Sequence, residues 1–229
     1  MYFLIFIVFA LISMAVGAQL KRKFREFSQV PTSSGLSGAQ IAARMLRDNN
    51  IYDVEITSVP GKLTDHYNPA NKTINLSEEV YHGRHVAAAA VAAHETGHAV
   101  QHATAYSMLQ LRSKLVPIAN IGTNIMNYVM MASLLFWGAF QLFSFDIALY
   151  IIIGAQASIT LFTLVTLPVE FDASNRALVW LNASRITQGE EYRKAKSALS
   201  WAASTYVVAA LAAVANLLYW VLLLLGNRD

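Results

Sequence analysis

The sequence His94-Glu95-Thr96-Gly97-His98 lies inside the alanine-rich stretch VAAAAVAAHETGHAVQHA, which runs from Val86 to Ala103. This stretch contains no proline and consists almost entirely of good helix formers, so it predicts one continuous helix. On a helix, His94 and His98 lie one turn apart on the same face, and both imidazoles can reach one metal ion. Glu95 then lies where its carboxylate can take a proton from a water molecule that the metal activates. The pattern therefore predicts a catalytic metal site, and the alternative is an alanine-rich core helix with structural histidines.

The composition favours a membrane protein. Of the 229 residues, 55% are hydrophobic and only 14% are charged, whereas about a quarter of a soluble domain is charged. There is no basic tract with interleaved aromatic residues, which argues against a nucleic-acid partner. The chain has no cysteine, which excludes disulfide bonds, thiolate metal ligands and a cysteine nucleophile.

Four apolar runs approach or exceed the length that crosses a bilayer, which is about 20 residues for a helix. They cover residues 2–20, 125–143, 147–169 and 201–225. Basic residues follow the first run instead of preceding it, so this run is predicted to be a retained anchor and not a cleaved signal peptide. The second and third runs predict a transmembrane hairpin with Ser144 and Asp146 at its tip.

The basic residues predict the orientation in the membrane. They lie after the first run, before the hairpin and before the last run, at Lys21 to Arg25, at Arg112 and Lys114, and from Arg176 to Lys196. The positive-inside rule places these segments in the cytoplasm and both termini outside. Because the hairpin crosses the bilayer twice, Glu170 returns to the side on which the two histidines lie.

The segment between the first apolar run and the histidine helix predicts a small antiparallel sheet. Ser37 and Gln40 form a capping-box pattern at the start of a helix. Residues 54–59, 62–67 and 73–76 predict three short strands, and Ser77 is positioned to cap a short helix. The strand at 73–76 is expected to be an exposed edge that receives an extended substrate by strand addition.

A catalytic zinc ion has three protein ligands and an open position, so a third ligand is required. His102 continues the spacing of four, but His94 and His102 are about 12 Å apart along the axis at 1.5 Å per residue, too far for one ion. Glu170 is the strong candidate because it directly follows an apolar run, and Pro168 is expected to kink or restart the helix before it. Asp172 is the fallback ligand, and the alternative for Glu170 is an ordinary acid at a helix start.

The motifs resemble those of known membrane proteases. The sequence His94-Glu95-Thr96-Gly97-His98, together with Glu170-Phe-Asp-Ala173, resembles the motifs of the HtpX-like gluzincins. Three further stretches resemble the YugP-type membrane zinc metallopeptidases, the putative neutral zinc metallopeptidase family: Thr64-Asp-His-Tyr-Asn-Pro69, Ile74-Asn-Leu-Ser77 with Val80-Tyr81, and Val91-Ala-Ala-His-Glu-Thr-Gly-His-Ala-Val-Gln-His102. The resemblance implies a Zn²⁺ cofactor with His94, His98 and Glu170 as ligands and Glu95 as the catalytic residue.

One position departs from the HtpX-like pattern. Ser174 stands where an aspartate is expected four residues after the glutamate ligand. Asp172 or a backbone carbonyl is therefore expected to support a histidine ligand. The sequence leaves open which side chain donates to the oxyanion. The candidates are His66, Tyr67, His82, His85 and Arg176.

These observations predict a mainly α membrane protein: four transmembrane helices with a cytoplasmic α+β zincin-like metalloprotease domain. The predicted segments are an anchor (1–20), a cytoplasmic segment with the histidine helix (21–120), a transmembrane hairpin (121–169), a second cytoplasmic segment (170–200) and a last transmembrane helix with a short tail (201–229).

The predicted activity is hydrolysis of peptide bonds in protein or peptide substrates, including segments of membrane proteins, at the cytoplasmic face of the cell membrane. The sequence assigns no oligomeric state. The first rival is a site-2-type intramembrane protease, which the short apolar core of the histidine helix and the lack of a later Asp-Gly disfavour. The second rival is a non-catalytic membrane scaffold with a structural zinc ion.

Overall fold

Helices make up most of the computed structural model, which describes residues 2–135 and 145–226. The elements in chain order are α1 Tyr2–Phe27, α2 Gly38–Asp48, β1 Glu55–Val59, β2 His66–Asn68, β3 Thr73–Ser77, α3 Glu78–His82, α4 Val86–Ala103, α5 Ser107–Leu135, α6 Phe145–Ala183 and α7 Gly189–Gly226. The predicted histidine helix is α4, and its bounds match the alanine-rich stretch.

The chain divides into two compact units. One of them joins Ala15–Leu109 to Pro168–Thr205 and is called the sheet-containing unit below. The described part of the other unit is helical. Every residue predicted to form the metal site lies in the sheet-containing unit, so this unit is the one that matters for function.

Helix α2 begins at the capping box that the sequence predicted. The hydroxyl of Ser37 accepts a hydrogen bond from the backbone N–H of Gln40 at 3.3 Å, and the Gln40 side chain accepts one from the Ser37 N–H at 2.9 Å. The helix places Ile41 and Met45 in the core, with exposures of 0% and 1%. Local sequence therefore determines both the start of α2 and the face that it buries.

The sheet has the strand order β1-β3-β2, with β1 parallel and β2 antiparallel to β3. The prediction of an all-antiparallel sheet is therefore wrong for the β1–β3 pair. A tight turn reverses the chain between β2 and β3, while β1 pairs with the other side of β3 and runs in the same direction. The strand at 73–76 is central instead of an exposed edge, and its Ile74 and Leu76 are fully buried.

Three helices among the described residues are long and apolar enough to cross a membrane: Phe3–Phe27, Asp146–Ala183 and Gly189–Gly226. Helix α6 continues through Pro168 without a break, so of the expected kink or restart at this proline, the restart is wrong. The apolar run 125–143 begins in α5, but its end and Ser144 of the predicted hairpin tip lie outside the described residues.

Candidate metal centre

Helices α4 and α6 approach each other closely where Gly97 lies against Ala173. A methyl group on Gly97 would lie 2.6 Å from the carbonyl oxygen of Ala173, a distance at which one of the helices would have to move. Ala173 is completely buried. Glu170 and Ser174, four residues apart on α6, lie on one face of that helix beside this contact. The glycine of the His-Glu-Thr-Gly-His motif thus lets α6 bring its polar residues to the histidines.

Glu170 meets both motif histidines. Its Oε2 atom lies 3.3 Å from Nε2 of His94 and 3.5 Å from Nε2 of His98. One imidazole nitrogen of His94, one of His98 and one carboxylate oxygen of Glu170 lie within 4.8 Å of one another. Glu170 and His98 are buried, with exposures of 2% and 8%. The structure therefore places two imidazole nitrogens and a carboxylate oxygen around one small volume.

This cluster fits a tetrahedral zinc ion. Two ligand atoms bonded at about 2.0–2.1 Å to a tetrahedral ion lie about 3.4 Å apart, close to the two nitrogen–oxygen distances observed here. Two histidines and one carboxylate also form a ligand set found in catalytic zinc sites. Burial disfavours charge on His98, but Glu170 and the negative charge of Glu95 outweigh this effect and raise the pKa of His98. The carboxylates therefore favour a cation at this position.

Each histidine is oriented by a neutral side chain. Nδ1 of His94 is hydrogen-bonded to the hydroxyl of Ser174 at 3.1 Å, and Nδ1 of His98 donates to Oε1 of Gln101 at 3.0 Å. With Nδ1 engaged, Nε2 of each ring points into the cluster and can accept a metal. Ser174, which stands where a carboxylate was expected, thus supports His94 through its hydroxyl.

Gln101 connects the site to α6. It is fully buried, and its Nε2 donates to the carbonyl of Val169 and to Oδ2 of Asp172, both at 2.8 Å. The same Asp172 oxygen accepts from Nε of Arg176 at 2.6 Å. Asp172, the fallback ligand, therefore lies outside the three-residue cluster and acts on His98 through Gln101. The sequence analysis assigned no role to Gln101, although its position three residues after His98 places it on the same helix face.

Glu95 is held by the backbone of β2. Its side chain is buried, and its Oε2 accepts a hydrogen bond from the N–H of Tyr67 at 3.0 Å. Burial raises the pKa of Tyr67, and its hydroxyl is hydrogen-bonded to Nδ1 of His102 at 2.7 Å. His102, excluded as a ligand by its spacing, thus anchors the tyrosine whose backbone positions Glu95.

Asp65 fixes the segment that carries Tyr67. Its carboxylate accepts from the backbone N–H of Ser77 at 2.8 Å and from the Ser77 hydroxyl at 3.1 Å. Burial raises the pKa of Asp65. The contact joins the start of β2 to the end of β3, so it connects two of the stretches that carry the family resemblance.

The remaining predicted oxyanion donors have other contacts. The Nδ1 atom of His85 accepts from the N–H of Ala88 at 3.1 Å and so caps α4, and burial lowers its pKa, which favours the neutral ring. His82 is exposed and packs edge-on against Tyr81. His66 is exposed on β2 and donates from Nδ1 to the carbonyl of Thr64 at 2.8 Å.

A family described as "Putative neutral zinc metallopeptidase" matches residues 2–225 of the chain. The chain belongs to this family. A relative from Bacillus subtilis (strain 168), named "Putative membrane protease YugP", is 42% identical over 228 residues, which cover 98% of each chain. No solved structure matches the chain. Membership of the zinc metallopeptidase family agrees with the donor atoms that the fold brings together.

In this member of the zinc metallopeptidase family, Gln101→Leu is expected to weaken zinc binding by about 10- to 100-fold, the usual effect of losing a partner that orients a ligand. Leucine fills a similar volume but removes the acceptor for His98 and the donor to Asp172. Competition with a chromophoric chelator measures the affinity. Gln29→Leu, at an exposed glutamine, is the matched control. A folded Gln101→Leu protein with unchanged affinity would contradict the role of Gln101.

Proposed function

We propose that the protein is a membrane-embedded zinc-dependent endopeptidase. The observation that carries this proposal is the convergence of His94, His98 and Glu170 beside the buried carboxylate of Glu95. The family description and the name of the relative support the same activity. We also propose that the site belongs to the gluzincin type, as in HtpX-like proteases, because its third ligand is a glutamate from a later helix.

The side chains divide the chemistry among them. His94, His98 and Glu170 would hold the zinc ion, which would lower the pKa of a water molecule and polarise the substrate carbonyl. Glu95 would take a proton as that water attacks the carbonyl carbon and would return it to the amine nitrogen as the peptide C–N bond breaks. The N–H of Tyr67 holds one carboxylate oxygen of Glu95 and leaves the other for the water. Ser174 and Gln101 keep the histidine rings in the orientation that binds metal.

The substrate is proposed to bind along β2. This strand lies at an edge of the sheet, and the Tyr67 N–H points away from β3 toward Glu95. In an antiparallel pair the N–H and C=O of one residue point to the same side, so the Tyr67 carbonyl also faces the outer edge. The Tyr67 N–H is engaged by Glu95, so an extended peptide added at this edge would pair by donating a backbone N–H to the Tyr67 carbonyl. His66, exposed on the same strand, is then the proposed oxyanion donor.

The site is proposed to face the cytoplasm in a chain that crosses the cell membrane four times. The three apolar helices among the described residues supply three crossings, and the run 125–143 supplies the fourth. By the positive-inside rule, the basic residues that flank these runs favour an orientation with both termini outside. Protein substrates at this location include segments of membrane proteins near the cytoplasmic surface.

A zinc-dependence assay tests the proposed activity. Purified full-length protein is expected to cleave a casein-like substrate, to lose the activity when a chelator removes zinc, and to recover it on zinc addition. Since the chain contains no cysteine, a cysteine-protease inhibitor should have no effect and serves as the control for contamination. Cleavage that persists after elemental analysis shows complete zinc removal would refute the proposal, and absence of all cleavage by the zinc-loaded protein would favour a scaffold.

A further inference from the structure

A cleft outside the metal centre lies at the end of helix α1. Its volume is about 300 Å³. Its lining residues are Lys21, Phe24, Arg25, Lys62, Leu63 and Glu79. All of them belong to the sheet-containing unit. The metal centre uses none of these residues.

The charge of the cleft is strongly positive. Three cationic side chains line it against the single carboxylate of Glu79. Lys21 and Arg25 are four residues apart on one face of α1, and Lys62 comes from the loop between β1 and β2. Within residues 2–135 and 145–226, no carboxylate lies within ion-pair distance of these three cations. The cleft therefore has an excess of cationic donors for an anion.

The cleft also has apolar walls. Phe24 of α1 and Leu63 of the loop between β1 and β2 both line it. The backbone of Leu63 has a φ of 57°, and its side chain is 42% exposed. A leucine held outward beside a lysine is an arrangement suited to the boundary between lipid headgroups and acyl chains. A ligand with both a negative charge and an apolar part fits these walls better than a small inorganic ion.

The position of the cleft in the chain indicates the source of such a ligand. The apolar run of α1 ends at Leu20, directly before Lys21, and α1 is a candidate membrane helix. Basic residues at the end of a membrane helix lie at the level of the headgroups and attract anionic lipids. We infer that this cleft binds the phosphate headgroup of an anionic phospholipid. The inference does not depend on peptidase activity.

Lipid retention by matched variants tests the inference. Full-length protein is incubated with equal amounts of phosphatidylglycerol and phosphatidylcholine in detergent micelles, and retained lipid is counted by native mass spectrometry. The variant Lys21→Gln/Arg25→Gln removes two charges from the cleft. The control Arg22→Gln/Lys23→Gln removes two charges from the same turn of α1 at positions that do not line the cleft. Lys62→Gln changes the cleft without altering α1.

The wild type should retain phosphatidylglycerol in preference to phosphatidylcholine. Each cleft cation removed should lower retention about fivefold, so the cleft double variant should lose about 25-fold while the control stays within about twofold. Equal losses in both double variants, or no loss in the cleft variant, would overturn the inference. Equal retention of both lipids by the wild type would also overturn it. Binding of inorganic phosphate to lipid-free protein, with the same dependence on the cleft residues, would also overturn the inference. It would assign the cleft to a free anion instead of a lipid.

Discussion

Replacing Glu95 by glutamine is expected to lower peptidase activity by about 100- to 10,000-fold, the contribution typical of a general base, and to leave zinc bound. Glutamine has the same shape, and its carbonyl oxygen can still accept the hydrogen bond that Tyr67 donates to Glu95. Glu95 is not one of the three residues of the metal cluster. The amide cannot take a proton from water, so the change removes the chemistry while the fold and the metal remain.

Two measurements on the same sample test this expectation. Steady-state kinetics should show the loss in kcat/KM, and elemental analysis should show the same zinc content as in the wild type. Glu78→Gln is the matched control, because Glu78 is an exposed glutamate on the short helix α3. Wild-type turnover by zinc-loaded Glu95→Gln protein would show that another group serves as the base.

The elements that the sequence predicts well are those that local interactions determine. Helix α4 coincides with the alanine-rich stretch Val86–Ala103 because its helix formers need no distant partner. The capping box at Ser37 and Gln40 is present for the same reason, since its two hydrogen bonds join residues three positions apart. The spacing of His94 and His98 also requires only the helical repeat.

The sheet shows where local reasoning stops. Strand patterns located β1, β2 and β3 to within a few residues, but they carry no information on which strand lies in the middle. Which strand is central depends on packing across the whole unit. Strand β3, whose Ile74 and Leu76 are fully buried, is the one that pairs with a strand on each edge. The proposed substrate-binding edge consequently moves from β3 to β2.

The metal centre depends both on local spacing along one helix and on packing between distant segments. The two histidines share a turn of α4, whereas Glu170 reaches them only because Gly97 and Ala173 permit close packing of α4 against α6. The position of Glu170 directly after an apolar run, together with the motif resemblance, indicated this ligand, but the neutral partners of the histidines depend on the rotation of α6 about its axis. One-dimensional spacing does not specify that rotation, and it therefore did not reveal the role of Ser174.

Replacing Glu170 by alanine is expected to remove most bound zinc. The substitution leaves two of the three ligand side chains, and the lost oxygen is the atom that approaches both histidine nitrogens, at 3.3 and 3.5 Å. The affinity should fall by more than about 100-fold, the upper effect of losing a mere orienting partner. Elemental analysis after dialysis and competition with a chromophoric chelator measure the loss, and peptidase activity should fall with the zinc content.

The neighbouring acid Asp172 supplies the matched control on the same helix. Asp172 lies outside the metal cluster and bonds to Gln101, and asparagine at this position keeps an oxygen that can accept from the Gln101 amide. Asp172→Asn should therefore retain most of its zinc. If Glu170→Ala kept full zinc occupancy while Asp172→Asn lost it, the third ligand would be Asp172. The approach of Glu170 to both histidines would then be a metal-free contact only.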